Sequence, residues 1–154
     1  MLAIKQILLP IDFSEFSKIS LPYAIDLAKK FKSDIHIIHV FDENILDPYY
    51  FSNPKSSQEF FQHVQNDFQK TIDSLIEDFD TEGINIIPIL ANGTPFVEII
   101  RYSKKEKIDL IIISTHGRSG LSQMLIGGTA EKIIRKAPCP VLTVRHPEFE
   151  FEMP

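Results

Sequence analysis

Ile108-Asp-Leu-Ile-Ile-Ile-Ser114 runs into Thr115-His-Gly-Arg-Ser-Gly120 and, six residues later, into Gly127-Gly-Thr-Ala-Glu131. The first segment decides the fold. It is a strand with almost no polar alternation, as expected when both faces of a sheet are covered, and that is the habit of parallel sheets. The glycines behind it mark a turn. A helix is expected over about 129–137, followed by a fifth strand at Pro140-Val-Leu-Thr-Val-Arg145.

Upstream, the same alternation repeats. Residues 84–91 read as a third strand, and Thr94-Pro95 as a helix start, a capping hydroxyl followed by proline at the first helical position. Phe60, Phe61, Val64, Phe68, Ile72, Leu75, Ile76 and Phe79 form one apolar stripe at helical spacing, with Gly83 as its expected terminator. Residues 42–57, with Asp47-Pro48 and Asn53-Pro54, read as a long loop, and residues 35–41 as the second strand. Leu21, Ala24, Ile25, Ala28 and Phe31 define a helix over 15–31, with Asp12 or Ser14 as its cap and Pro22 marking a kink or a first turn. Residues 4–9 are the first strand, stopping at Pro10. Five strands alternating with four helices predict an open, doubly wound parallel α/β sheet with helices on both faces. In such sheets ligands sit beyond the carboxyl ends of the strands, where the strand order reverses. The loop Pro10-Ile11-Asp12-Phe13-Ser14 and its neighbour are therefore the places to look.

The length of 154 residues suits a single domain, 1–154, with an acidic tail at 146–154 along its surface. Net charge is −5, unevenly spread: residues 42–98 hold eleven acids against two bases, and residues 99–145 nine bases against three acids. An acidic total argues against a nucleic-acid binder. The local excess of bases suits a small anion if they converge, and Lys104, Lys105, Lys107, Lys132 and Lys136 read equally as solvated helix faces. No apolar run has membrane-spanning length, which argues against a membrane partner, and Cys139 as the single cysteine excludes an internal disulfide. The expected location is cytoplasmic.

Four of the six glycines fall at 117, 120, 127 and 128, between the fourth strand and the last helix. Glycines let a ligand approach backbone amides, and a helix beginning near Gly128 or Thr129 presents unpaired amides at the positive end of its dipole. Ser114, Thr115, Ser119 and Thr129 add hydroxyls and Arg118 a cationic fork. Neither a G-x-x-x-x-G-K-[ST] string nor a G-x-G-x-x-G after the first strand is present. On spacing alone, a phosphate cradle and the shaping of a long loop are equally good readings.

The run Ser114-Thr-His-Gly-Arg-Ser-Gly120, with Gly127-Gly-Thr-Ala-Glu-Lys-Ile-Ile-Arg-Lys-Ala-Pro-Cys-Pro-Val-Leu-Thr-Val-Arg145, resembles the C-terminal signature of the universal stress protein family. Ile7-Leu-Leu-Pro-Ile-Asp-Phe-Ser14 resembles that family's first strand and loop, and the likeness spans about residues 3–145. The resemblance implies strand order 3-2-1-4-5, with the loops after strands one and four sharing one crevice. It also implies ATP bound through a pattern G-x2-G-x9-G-[ST], which falls on Ser114, Gly117, Gly127 and Gly128, so two of the four positions depart. Thr129 could supply the missing hydroxyl. By the same resemblance Pro10 belongs to the nucleotide site, Asp12 meets the ribose or a phosphate-bound Mg²⁺, Ile11 and Val40 flank the adenine, and His116, Gly117, Arg118, Gly127, Gly128 and Thr129 surround the phosphates. The plainer alternatives are Asp12 as a helix cap completed by Glu15, and His116 bonded to loop backbone. The resemblance further implies a homodimer joined along the last strand, through Val141, Leu142, Thr143 and Val144.

Other constellations carry less. His36 and His39, three apart on a strand, face opposite sides and cannot share a metal, and His63 stands alone on a helix. Cys139, between two prolines, reads as a buried inert thiol. A phospho-acceptor receiver is rejected because Ala91-Asn92-Gly93 and Val144-Arg145-His146 stand where an aspartate and a lysine are required. Asp12 and His116 are the water-activating candidates, and neither has an orienting partner legible in sequence. The expectation is an ATP-binding regulatory protein with at most slow hydrolysis. The alternative is a dimeric interaction protein of the same family that has lost the nucleotide.

Overall fold

A computed structural model describes residues 3–41, 54–115 and 126–147. The first strand, β1 (Gln6–Pro10), runs one residue further than expected and includes Pro10. A single turn, α1 (Glu15–Lys18), and then α2 (Leu21–Phe31) follow it. The helical stretch expected over 15–31 is interrupted because Pro22 has no N–H to give the Lys18 carbonyl. Pro22 sits instead in the first turn of α2. That helix ends on Lys32 in the left-handed conformation, φ 55°, whose N–H donates to the Ala28 carbonyl.

Strand β2 (Asp34–Phe41) and the long helix α3 (Pro54–Ile76) come next. Gly83 does not end that helix. It lies, at φ 78°, in the turn before β3 (Ile86–Asn92). Thr94 is the N-cap of α4 (Pro95–Lys105), but its hydroxyl makes no capping bond. Its carbonyl accepts from Val97 and Glu98 instead, and Pro95 supplies the helical φ. The chain closes through β4 (Leu110–Ser114), α5 (Gly128–Lys136) and β5 (Val141–Val144).

The five strands form one parallel sheet of order β3-β2-β1-β4-β5. Strand alternation sorts the side chains between two cores. Ile7, Leu9, Ile35, Ile37, Leu110 and Ile112 pack against α2 and α3 through Leu21, Ile25, Phe68 and Ile72. Leu8, Ile38, Ile111 and Ile113 pack against α4 and α5 through Ile99, Ala130 and Ile133. Every residue of β4 is buried, which accounts for its unbroken apolar run. Side chains such as Ile7, Leu9, Ile112 and Ile133, with no exposed area, each contribute roughly 1.5–3 kcal/mol relative to exposure. Among the described residues no helix is long and apolar enough to cross a membrane.

Candidate functional site

β1 lies between β2 and β4, with Ile7 opposite Leu110 and Leu8 opposite Ile111. The chain moves from β1 to β2 on one side and reaches β4 on the other, so the order reverses here and the loops after β1 and β4 leave the sheet side by side. The loop after β1 is densely bonded. Asp12 Oδ1 accepts from the Ser14 amide at 3.0 Å and from the Ser14 hydroxyl at 2.6 Å. Ser14 Oγ in turn accepts from Ser17 N–H at 3.1 Å and caps α1. Asp12 is thus not the cap. Glu15 completes no capping box with it and pairs with Lys18 at 2.6 Å. Asp12 does have an orienting partner, Ser14.

The other wall begins where β4 ends. Thr115 N–H donates to the Val144 carbonyl at 3.0 Å, and the Thr115 carbonyl accepts from Gly127 N–H at 2.6 Å. Gly127 is the N-cap of α5, in extended geometry at φ −66° and ψ 150°. The amides of the first turn, from Gly128 onward, therefore open at the carboxyl end of the sheet. Among the described residues nothing lies within 4 Å of a Cβ built on Gly128. A negatively charged group fits there, held by amides and the helix dipole.

The expected site residues do not all converge. Asp12, Gly127, Gly128 and Thr129 lie at the carboxyl ends of β1 and β4, and Ser114 and Thr115 are both buried at the end of β4. Ile11 and Val40 do not share a face: the Ile11 side chain is buried in the α2–α3 core, whereas Val40 packs in the α4–α5 core. Pro10 continues the row of Leu8 and thus shares a face with Val40. His116, Gly117 and Arg118 lie outside the described residues, as do most of the long loop expected at 42–57 and the tail from 148. Four described bases of the last third are engaged by neighbours on their own helices or the adjacent one. Lys132 and Lys136 stand over the Phe96 ring, 4.8 and 5.7 Å from its centroid, and Arg101 and Arg135 pair with Glu98 and Glu131.

Three residues that shape the site went unassigned in the sequence. Ser17 accepts from Asp12 N–H at 3.3 Å, Phe13 adopts φ 62°, and His39 Nδ1 lies 2.9 Å from the Ile11 carbonyl. The Asp-x-Ser spacing of Asp12 and Ser14 is a legible signal for the turn. His39 has no such signal, because its partner depends on strand register.

His36 and His39 do face opposite sides. His36 is buried between the Tyr102 hydroxyl, 2.7 Å from Nδ1, and Gln6 Oε1, 2.5 Å from Nε2. Burial lowers its pKa, against the pull of Asp34 and Glu106, and burial with Glu106 nearby pushes Tyr102 up to about 12. Cys139 is half-buried, and burial raises its thiol above the usual range. At β5, Leu142 is 37% exposed while Val144 is only 6% exposed and belongs to the core. Val144 thus turns its side chain inward on this edge strand; the exposed side chains there are Leu142 and Thr143.

Comparison with known proteins agrees with this fold. Universal stress protein MJ0531 of Methanocaldococcus jannaschii is 31% identical over 147 residues, 95% of this chain and 85% of the relative. The solved structure of the hypothetical protein MJ0577 from the same organism superposes with a TM-score of 0.76 at 27% identity, covering 96% of this chain and 99% of that one. A universal stress protein from Archaeoglobus fulgidus, solved in complex with dAMP, shares the fold at 17% identity and a TM-score of 0.57, with 93% and 98% of the chains covered. The family pattern itself matches residues 3–145, and the chain belongs to the universal stress protein family.

Proposed function

We propose that this protein binds ATP in the crevice between the loops after β1 and β4 and acts in the cytoplasm as a nucleotide-dependent stress-response regulator. The observation that carries the reading is the strand order, which sets the loop after β1, with Asp12 oriented by Ser14, beside the end of β4, where the Gly127–Thr115 bond anchors the amino end of α5. The two ends offer complementary chemistry. A carboxylate accepts from sugar hydroxyls, and helix amides donate to phosphate oxygens. Pro10 and Val40 would give the base an apolar wall, and Thr129 a hydroxyl near the phosphates. The Archaeoglobus relative holds an adenine nucleotide on the same fold, which supports the ligand class. Among the described residues no three His, Cys, Asp or Glu side chains cluster to hold a metal, so in this reading Mg²⁺ arrives with the triphosphate. Occupancy rather than turnover is the signal, and two copies join along β5.

Calorimetric titration of nucleotide-stripped protein with ATP, ADP and AMP, with and without Mg²⁺, tests this reading. Saturable binding that is lost in Asp12→Ala is expected. Absence of binding at millimolar ligand by well-folded protein would favour the second reading, a dimeric interaction protein without nucleotide. The specific feature behind that reading is Gly128, which has no side chain where the family pattern carries a hydroxyl.

A further inference from the structure

His39 stands where β1 leaves the sheet. Ile11 N–H donates to the Ile38 carbonyl at 2.9 Å, which carries the pairing with β2 one residue past Pro10. The Ile11 carbonyl then meets His39 Nδ1 at 2.9 Å. A carbonyl only accepts, so the imidazole is the donor and carries its proton on Nδ1 in this contact. The same peptide is held at its other end, where Asp12 N–H donates to Ser17 Oγ at 3.3 Å. The Ile11–Asp12 peptide plane is thus fixed by a side chain on each side. That plane sets the direction in which Asp12 projects.

The ring is itself wedged in place. Its centroid lies 4.8 Å from that of Phe13 and 6.3 Å from that of Phe68, nearly stacked on the latter at 25°. Phe13 and Phe68 meet edge-on at 6.1 Å. Phe13 is in the left-handed region, φ 62°, a conformation that an L-residue with a bulky side chain keeps only where its surroundings hold it. The rings of His39 and Phe68 are those surroundings. Backbone strain one residue past Asp12 and a pinned peptide one residue before it leave the aspartate little freedom.

We infer that His39 is the positioning residue for Asp12: its Nδ1–H and its tilted ring contact with Phe13 aim the Asp12 carboxylate into the crevice. The inference rests on the nucleotide reading only for what Asp12 meets there, the ribose hydroxyls. His39 itself acts through Asp12 and lies on the α2–α3 side of the sheet.

The test compares His39→Leu, which removes the donor, with His39→Asn, whose side-chain amide restores a donor close to the Nδ1 position. Two quantities are read: hydrogen exchange of the Asp12 and Phe13 amides without ligand, and affinity for ATP against 2′,3′-dideoxy-ATP. His39→Leu is expected to speed exchange about tenfold, the equivalent of one lost hydrogen bond. It should weaken ATP about tenfold and dideoxy-ATP less than twofold, because the latter has no hydroxyls for Asp12 to grip. His39→Asn should restore both. Ser17→Ala, which releases the other end of the peptide without touching the rings, should also collapse the discrimination and stands in if His39→Leu does not fold. Unchanged exchange in His39→Leu, or discrimination retained in either variant, overturns the inference. Wild-type protein that binds neither nucleotide overturns the nucleotide reading instead, and the exchange measurement then decides the role of His39 by itself.

Discussion

Gly127 donates its amide to the Thr115 carbonyl across 2.6 Å, joining the end of β4 to the start of α5. The bond determines where the first turn of the helix opens, and Gly128 is the first residue of that turn. Its helical backbone does not need glycine, and among the described residues nothing lies within 4 Å of a Cβ built there.

Gly128→Ser should therefore stabilise the protein and strengthen ATP binding. Removing glycine from a helical position restricts the unfolded chain and contributes about 0.5–1 kcal/mol. In a protein of this size that is a rise of about 1–4 °C in Tm. A new hydroxyl on the phosphates adds a net 0.5–1.5 kcal/mol, roughly two- to tenfold in affinity. Gly128→Ala separates the two effects, because it keeps the backbone gain and lacks the hydroxyl. Equal ATP affinities for the serine and alanine variants would show that position 128 does not reach the phosphates.

The buried histidine makes stability depend on pH. Gln6 Nε2 donates to Asp34 at 3.2 Å, which turns Gln6 Oε1 toward His36 Nε2–H and leaves Nδ1 to accept from the Tyr102 hydroxyl. This is the neutral ring, and protonating Nδ1 would force Tyr102 to turn its hydroxyl. Because the folded pKa is lowered, the unfolded chain binds the proton first. The stability contributed by His36 is complete above the unfolded value near 6.5 and is lost as pH falls from there toward the folded value. The slope is at most about 1.4 kcal/mol per pH unit. Thermal unfolding from pH 8 to 5 should show this slope in wild type and a shallower one in His36→Gln. Parallel curves would remove His36 as its source.

Ser14 serves two neighbours, and its loss should register in both stability and binding. Ser14→Ala removes the cap on α1, a cost of about 1 kcal/mol, and the 2.6 Å bond that orients Asp12. Melting should fall by a few degrees, and ATP affinity should fall with it. A variant that melts earlier but binds ATP as tightly as wild type would show that Asp12 is aimed without Ser14.

What was legible in the sequence follows from local physics. The unbroken run at 110–114 announced a strand covered on both faces, and Pro22 announced a kink or a first turn, of which the structure has the first turn. The alternation that put His36 and His39 on opposite faces was legible too. Their partners were not, since Tyr102 and Ile11 come within reach only through sheet register and helix placement. Register also hid the burial of Val144 and the separation of Ile11 from Val40. Thr94 failed as a capping hydroxyl because its backbone carbonyl and Pro95 already start the helix.

Strand β5 lies at the sheet edge, and its backbone determines which substitution tests the dimer. Ile111 N–H donates to the Pro140 carbonyl and Thr115 N–H to that of Val144. In a parallel ladder alternate residues bond the same neighbour, so Pro140, Leu142 and Val144 face β4 while Val141 and Thr143 turn their N–H groups outward. Proline at Val144 would damage the core and the β4 ladder together. Thr143→Pro removes only an outward donor, as edge strands tolerate, and denies a second copy its rung. Leu142→Glu places a charge on the exposed side chain beside it. Light scattering should give twice the chain mass for wild type and the single chain mass for both variants, with melting within a few degrees of wild type. Dimers that persist in both variants would place the interface on another surface.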